Sequence, residues 1–210
     1  MEIVIKDLSK KFDNNLVLDN INMKLTSGNI YGFAGRNGTG KSVLMKIICA
    51  FYTPTSGTIL QDGNNFIEKN EFPKDTRALI EHASFLPNLT GLENLKLLAE
   101  IQNKVSEESI IKWFDFFEMQ DEINKKYSKY SLGNKQKLGI IQVLMEDPKL
   151  IILDEPFNAI EEISVKRIKK KLLELKEQDK IIIISSHIKE DLEELCDQIF
   201  YFDNGKVIQK

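Results

Sequence analysis

Arginine is scarce in this chain: of 29 cationic residues, only Arg36, Arg77 and Arg167 carry a guanidinium. Bidentate readout of phosphates or bases favours arginine. The formal net charge is −3, so there is no basic field of the kind a nucleic acid selects, and no nucleic-acid partner is expected. There are only two cysteines, Cys49 and Cys196, each inside an apolar helical pattern. Two buried free thiols are expected, compatible with a reducing compartment. No stretch approaches the roughly 18 apolar residues of a membrane span. The start, Met1-Glu-Ile-Val-Ile-Lys-Asp7, lacks the pattern of a signal peptide. A cytosolic chain is expected, with any membrane role supplied by a partner. No period of 20–50 residues repeats. The remaining composition is ordinary: 42% apolar and 29% charged over 210 residues, enough for one domain, or one domain with a subdomain inserted.

Against that background one stretch stands out. Gly35-Arg36-Asn37-Gly38-Thr39-Gly40-Lys41-Ser42 fits G-x-x-x-x-G-K-[ST], and its flanks are right. Asn29–Ala34 reads as a short buried strand before it, and Val43–Phe51 as an apolar helix after it. Glycines let successive backbone N–H groups turn inward around phosphate oxygens. The helix start adds unpaired donors and partial positive charge. In such a loop Lys41 reaches the β- and γ-phosphates, and the Ser42 hydroxyl ligates Mg²⁺.

Around this loop the apolar pattern alternates between strand and helix. Glu2–Lys6 and Leu16–Leu25 alternate as strands, the second with a bulge at Asp19-Asn20, and Phe12 falls between them. Thr58–Gly63 reads as a short hairpin strand and Arg77–Ile80 as another strand. From about Gly91 to Asp147 the period is helical, through Leu92, Leu95, Leu98 and Ala99, then Ile110, Trp113, Phe114 and Phe117. Ser131 is the expected N-cap of a helix running to Glu146. Leu150–Leu153 and Ile181–Ile184 are continuous apolar runs, as in parallel strands buried on both faces. Ile163–Lys176 and Ile188–Cys196 read as helices, and Gln198–Phe202 with Lys206–Ile208 as a closing hairpin around Asn204-Gly205. The expected class is therefore α/β: a P-loop core with a mixed sheet, an antiparallel β subdomain and an inserted helical subdomain. The expected boundaries are 1–82 and 149–210 for the core and 83–148 for the helical insert.

Two carboxylates follow the first buried run, in Asp154-Glu155-Pro156. An acid at the end of a parallel strand emerges at the sheet edge where ligands bind. Asp154 can hold Mg²⁺ directly or through water, and Glu155 can accept a proton from a water attacking the γ-phosphate. The second run ends in Ser185-Ser186-His187, which places a histidine where it can hydrogen-bond a γ-phosphate oxygen. The aromatic ring of Phe12 is a candidate to stack on a nucleobase.

With these residues in order, the sequence resembles an ATP-binding cassette, the ATPase subunit of ABC transporters, over essentially its whole length (Ile3 to Val207). Gly35–Ser42 matches the Walker A loop, Leu150–Glu155 the Walker B strand and catalytic glutamate, and His187 the switch histidine. Phe12 falls where the family has its adenine-stacking aromatic. Tyr130-Ser131-Leu132-Gly133-Asn134-Lys135-Gln136-Lys137 occupies the place of the signature Leu-Ser-Gly-Gly-Gln-Lys-Gln-Arg. The resemblance implies ATP and Mg²⁺ as ligands and a head-to-tail pair of cassettes. Ser131 and Gly133 would then meet the γ-phosphate bound by the other subunit, with only small residues fitting there. It also implies a separate membrane permease, contacted by the stretch from Phe85 to about Trp113, and a location on the inner face of the membrane. The Tyr-Ser-Leu-Gly form resembles bacitracin and lantibiotic exporters and immunity systems. Three departures accompany it: Leu132 replaces a glycine, Glu81 falls where the family has a Mg²⁺-touching glutamine, and Glu161 replaces an aspartate after Walker B. Those departures motivate an alternative, a nucleotide-gated module with little hydrolysis. A repair or translation ATPase would need long coiled coils or a second cassette, and a P-loop kinase would explain neither Glu155 nor the signature.

Overall fold

In the computed structural model, residues 1–209 are described, so Lys210 at the end of the expected core lies outside the described residues. Two sheets organise the chain. A three-stranded antiparallel sheet, in the order β2-β1-β4, is built from β1 (Glu2–Phe12), β2 (Asn15–Thr26) and β4 (Ser56–Gln61). A six-stranded sheet, in the order β5-β6-β7-β3-β8-β9, contains β3 (Asn29–Ala34), β5 (Thr76–Leu79), β6 (Leu150–Asp154), β7 (Ile181–Ser186), β8 (Gln198–Asp203) and β9 (Lys206–Gln209). All neighbours in it are parallel except β8 and β9, which form the hairpin. The helices are α1 (Lys41–Ile48), α2 (Gly91–Glu100), α3 (Glu107–Phe116), α4 (Leu132–Leu144), α5 (Glu162–Lys176) and α6 (Lys189–Leu195).

The continuous apolar runs are explained by two cores on opposite faces of the six-stranded sheet. Leu150, Ile152, Ile181 and Ile183 join the core that holds α1 and the antiparallel sheet. Ile151, Leu153, Ile182 and Ile184 join the core that holds α2 to α6. With side chains alternating along a strand, both faces must be apolar. Within α1, Leu44, Met45, Ile47 and Ile48 are fully buried between the two sheets, which anchors the helix that follows the glycine loop.

The structure departs from the sequence expectation in three places. First, β1 runs on to Phe12 instead of stopping at Lys6. Asp7 adopts a left-handed φ of 49° and the register shifts between Ile5 and Leu8. That bulge moves the buried position from Ile5 to Leu8, three residues on, and breaks the simple alternation. Phe12 is thus the last residue of a strand, opposite Asn15. The bulge expected at Asp19-Asn20 is present: Leu8 pairs Ile21 and Lys10 pairs Leu18, and Asn20 has φ 52°. Second, β4 is no hairpin strand. It pairs with β1, through Ile3–Gln61 and Ile5–Ile59, while its own sequence neighbourhood contributes only a Gln61–Asn64 bridge. Third, α1 begins at Lys41 and ends at Ile48, because Ala50 is left-handed (φ 59°) and cannot extend it. Both cysteines are unpaired; Cys49 is buried, whereas Cys196 lies past the end of α6 and is only partly covered. Burial raises both thiols to about 12. No helix among the described residues is long and apolar enough to cross a membrane.

Candidate functional site

A cleft of about 420 Å³ opens at the carboxyl edge of β3 and β6, lined among others by Asn37, Gly38, Gly40, Lys41, Ser42, Glu81, Asp154 and Glu155. This is the edge at which open α/β sheets bind ligands. The glycine loop owes its shape to φ angles that suit glycine: Gly35 at 152°, Gly38 at 81° and Gly40 at 105°. A Cβ on Gly40 would stand 2.7 Å from Leu18 Cδ2, and one on Gly35 would stand 2.7 Å from the Phe202 carbonyl. The loop is thus pressed against β2 and β8 and only glycine fits. Thr39 Oγ1 donates to the Arg36 carbonyl at 2.9 Å. The Lys41 ammonium donates to the carbonyls of Gly35 (2.6 Å) and Arg36 (3.1 Å), which centres it under the loop. Burial lowers its pKa, opposed by the nearby charges of Glu155 and Asp154. The start of α1 has no side-chain cap and no acid in its first turn, so its amides face the cleft without an internal competitor.

Opposite this loop stands a chain of hydrogen bonds. Ser42 Oγ donates to Asp154 Oδ2 at 2.7 Å. Asp154 Oδ1 accepts from Ser185 Oγ, and Ser185 Oγ in turn accepts from the Glu155 amide at 2.9 Å. Glu155 Oε2 meets His187 Nδ1 at 2.9 Å. The other carboxylate oxygen, Glu155 Oε1, is buried with no hydrogen-bond partner among the described residues. With Glu155 ionised, His187 carries its proton on Nδ1.

Glu81 lies on the rim with φ 62°. Its carboxylate is held by the Lys46 ammonium at 2.6 Å, and that hydrogen bond raises the Lys46 pKa. The extra negative charge at this position is therefore matched from α1. Phe12, Ser131 and Gly133 do not line this cleft. Phe12 is 38% exposed, with its ring edge-on to Tyr52 at 5.4 Å and Lys10 Nζ 4.8 Å from its centre. Ser131 caps α4 by accepting from the Asn134 amide at 3.1 Å, which leaves the hydroxyl proton free to donate. Gly133 is required within this chain itself, since a Cβ there would stand 2.6 Å from the Ala159 carbonyl. The Leu132 side chain is 65% exposed. Glu161 is bound to Lys137 and, at 2.7 Å, to Ser164.

Sequence reasoning missed Val17, His82, Gln136 and Asn158, all of which line the cleft. His82 and Asn158 are sequence neighbours of Glu81 and of the Asp154–Pro156 turn, a signal that could have found them. Gln136 stands in the Tyr130–Lys137 signature stretch, which could have found it; for Val17 no local signal exists. Gln136 Nε2 donates to the Glu155 carbonyl at 3.2 Å and the Pro156 carbonyl at 3.4 Å.

Comparison with known proteins agrees with this geometry. Residues 18–158 match the family model of the ABC transporter ATPases. The chain is 36% identical over 214 residues to the bacitracin transport ATP-binding protein BcrA of Enterococcus faecalis, covering 100% of this chain and 70% of that protein. It is 32% identical over 204 residues to the lantibiotic transport ATP-binding protein SrtF of Streptococcus pyogenes, covering 97% and 88%. A solved ATP-binding subunit of an ABC transporter superposes with a TM-score of 0.90 at 25% identity, covering 100% of this chain and 90% of that one. Glycine loop, paired carboxylates and family match together place the chain in the ATP-binding cassette family of ABC transporter ATPases.

Proposed function

We propose that this chain hydrolyses ATP to drive a separate permease that exports an antimicrobial peptide of the bacitracin or lantibiotic kind. The proposed working form is a head-to-tail pair of cassettes on the inner face of the membrane. The observation that carries the hydrolytic reading is the state of Glu155: one carboxylate oxygen held by His187, the other buried beside the cleft without a partner among the described residues. An ionised carboxylate so held can take the proton of a water attacking the γ-phosphorus, while the bond to the β–γ bridging oxygen breaks and ADP leaves. Lys41 and the amides of the loop and α1 hold the β- and γ-phosphate oxygens. Ser131 and Gly133, at the start of α4, present donors to the nucleotide of the other cassette, and Phe12 is assigned to the adenine. Residues 83–148 are assigned as the unit that carries the signature, with the exposed Leu86 on the permease-facing side.

Mg²⁺ fits the residues present. The hard oxygen donors such an ion takes, Ser42 Oγ and the Asp154 carboxylate, stand together at the cleft, leaving phosphates and water to supply the rest. Ser42 can go on donating its hydroxyl proton to Asp154 while offering a lone pair to the ion, and Glu81 could add an oxygen on leaving Lys46. When bound, the ion would neutralise charge on the β- and γ-oxygens.

The low-activity alternative is not favoured, because two of the departures that motivated it are accommodated within the chain: Glu81 is balanced by Lys46, and Glu161 is engaged by Lys137 and Ser164. The deciding experiment is Glu155→Gln in a phosphate-release assay and by size-exclusion with ATP. Retained nucleotide binding, turnover reduced at least about 100-fold and an ATP-trapped dimer are expected. Parent-level hydrolysis by the variant would remove Glu155 as the base. Export is tested by bacitracin and lantibiotic resistance in cells expressing the chain with its permease.

A further inference from the structure

Glu155 has a left-handed backbone, φ 49°. A residue with a Cβ keeps that conformation only where its surroundings hold it. Here both sides of the residue are held. Its amide donates to Ser185 Oγ at 2.9 Å from a side chain that is fully buried opposite Asp154 in the β6–β7 register. Its carbonyl accepts from Gln136 Nε2 at 3.2 Å, and the same nitrogen reaches the Pro156 carbonyl at 3.4 Å. Gln136 belongs to α4, and two neighbours on that helix grip the rest of the same turn. Gly133 is packed so closely on the Ala159 carbonyl that a Cβ would clash, and Lys137 is bound to Glu161. The face of α4 from Gly133 to Lys137 is therefore moulded on the whole segment from Glu155 to Glu161.

We infer that Gln136 is a positioning residue for ATP hydrolysis: from α4 it fixes the peptide of Glu155 and so aims the carboxylate of that residue into the cleft. It touches no reacting atom and acts through Glu155. A shift of α4 is then felt at the base, which ties the helix carrying Ser131 to the chemistry of its own subunit. The inference rests on the assignment of Glu155 as base. Sequence spacing hides it, because the glutamine and the glutamate are 19 residues apart and on different elements.

The test uses the full chain and the variants Gln136→Leu, which removes the donor at similar volume, and Gln136→Lys, which restores a donor to the two carbonyls. Three readouts are taken: phosphate release, affinity for a fluorescent ATP analogue, and hydrogen exchange of amides in residues 154–161. Losing a neutral hydrogen bond corresponds to about a tenfold change. Gln136→Leu should lower kcat about tenfold and speed exchange in 154–161 by a similar factor. Nucleotide affinity should stay within about twofold, because no phosphate contact is lost. Gln136→Lys should recover most of both losses. Unchanged exchange and kcat in Gln136→Leu would overturn the inference. So would a parallel loss of melting temperature, affinity and turnover that Gln136→Lys does not repair, which is the signature of a merely structural role. If Glu155→Gln hydrolyses like the parent, the assignment of the base fails separately, while the exchange data still decide whether Gln136 holds the turn.

Discussion

The ion pair between Lys137 and Glu161 is lopsided. The Lys137 side chain is 5% exposed, whereas the Glu161 side chain is 54% exposed. Among the described residues, the ammonium has beyond Glu161 only the Phe117 carbonyl, at 3.4 Å. The hydrogen bond from Lys137 pulls the Glu161 carboxyl from its ordinary 4.5 down to about 2, with the Ser164 hydroxyl adding to the effect. Taken at full strength that depression is worth about 3 kcal/mol. Solvent screening of a half-exposed carboxylate reduces it to roughly 1–2 kcal/mol. Removing the acid costs more than this, because a buried ammonium is left unpaired and the buried Ser164 hydroxyl loses its acceptor; roughly 2–4 kcal/mol follows for Glu161→Ala. At about 2–4 °C per kcal/mol for a chain of this size, the melting temperature should fall by roughly 4–16 °C. Lys137→Met removes the charge together with its desolvation and should stay within about 1 kcal/mol of the parent. Glu161→Gln keeps an acceptor for Ser164 and should lie between. Thermal and urea unfolding at neutral pH rank the three. The sign with pH is also fixed. A carboxylate whose folded pKa is depressed stabilises fully above its unfolded value and loses that contribution as pH falls through the folded one. The advantage of the parent over Glu161→Gln should therefore shrink between about pH 5 and pH 2. A Lys137→Met variant less stable than Glu161→Ala would refute the argument that the unpaired buried cation dominates.

Three further outcomes follow from the site. Lys41→Ala should weaken nucleotide binding itself, by roughly tenfold or more, and titration with a fluorescent analogue would expose unchanged affinity as evidence against the loop's role. Lys46→Met should weaken ATP binding without added Mg²⁺ by roughly fivefold, by leaving the Glu81 charge unmatched on the cleft rim, and Glu81→Gln in that background should restore it; failure to restore would mean that Lys46 acts on the nucleotide and not through Glu81. Gly133→Ala should cost roughly 1–3 kcal/mol by driving a methyl into the Ala159 carbonyl, and a parent-like unfolding midpoint would show that the segment yields freely.

The strands that carry the site were legible because their signals are local. Leu150–Leu153 and Ile181–Ile184 announce burial on both faces, and the acids and histidine that follow them must then emerge at the same edge. The cap at Ser131 and the bulge at Asp19-Asn20 are likewise written in adjacent residues. The partner of β4 was not legible, since the same short alternating run would suit a hairpin or the edge of a distant strand. Nor was the continuation of β1 past Lys6, where a single left-handed residue at Asp7 resets the alternation.

By itself, then, the sequence determined the α/β class, the glycine loop before an apolar helix, and a carboxylate pair at the end of a core strand. Each depends on the order and periodicity of neighbouring residues, which no packing arrangement can alter. Only the tertiary structure decided how charge and backbone are managed around them. Lys46 meets Glu81 across 35 residues, Lys137 meets Glu161 across 24, and Gln136 meets the Glu155 carbonyl across 19. Long side chains reach several ångströms in many directions, so which of them meet is set by how helices seat on the sheet and not by their spacing along the chain. The glycine at 133 shows the difference at one atom: its position in the motif points to a phosphate of another subunit, while the folded chain adds a carbonyl of its own that excludes a methyl group.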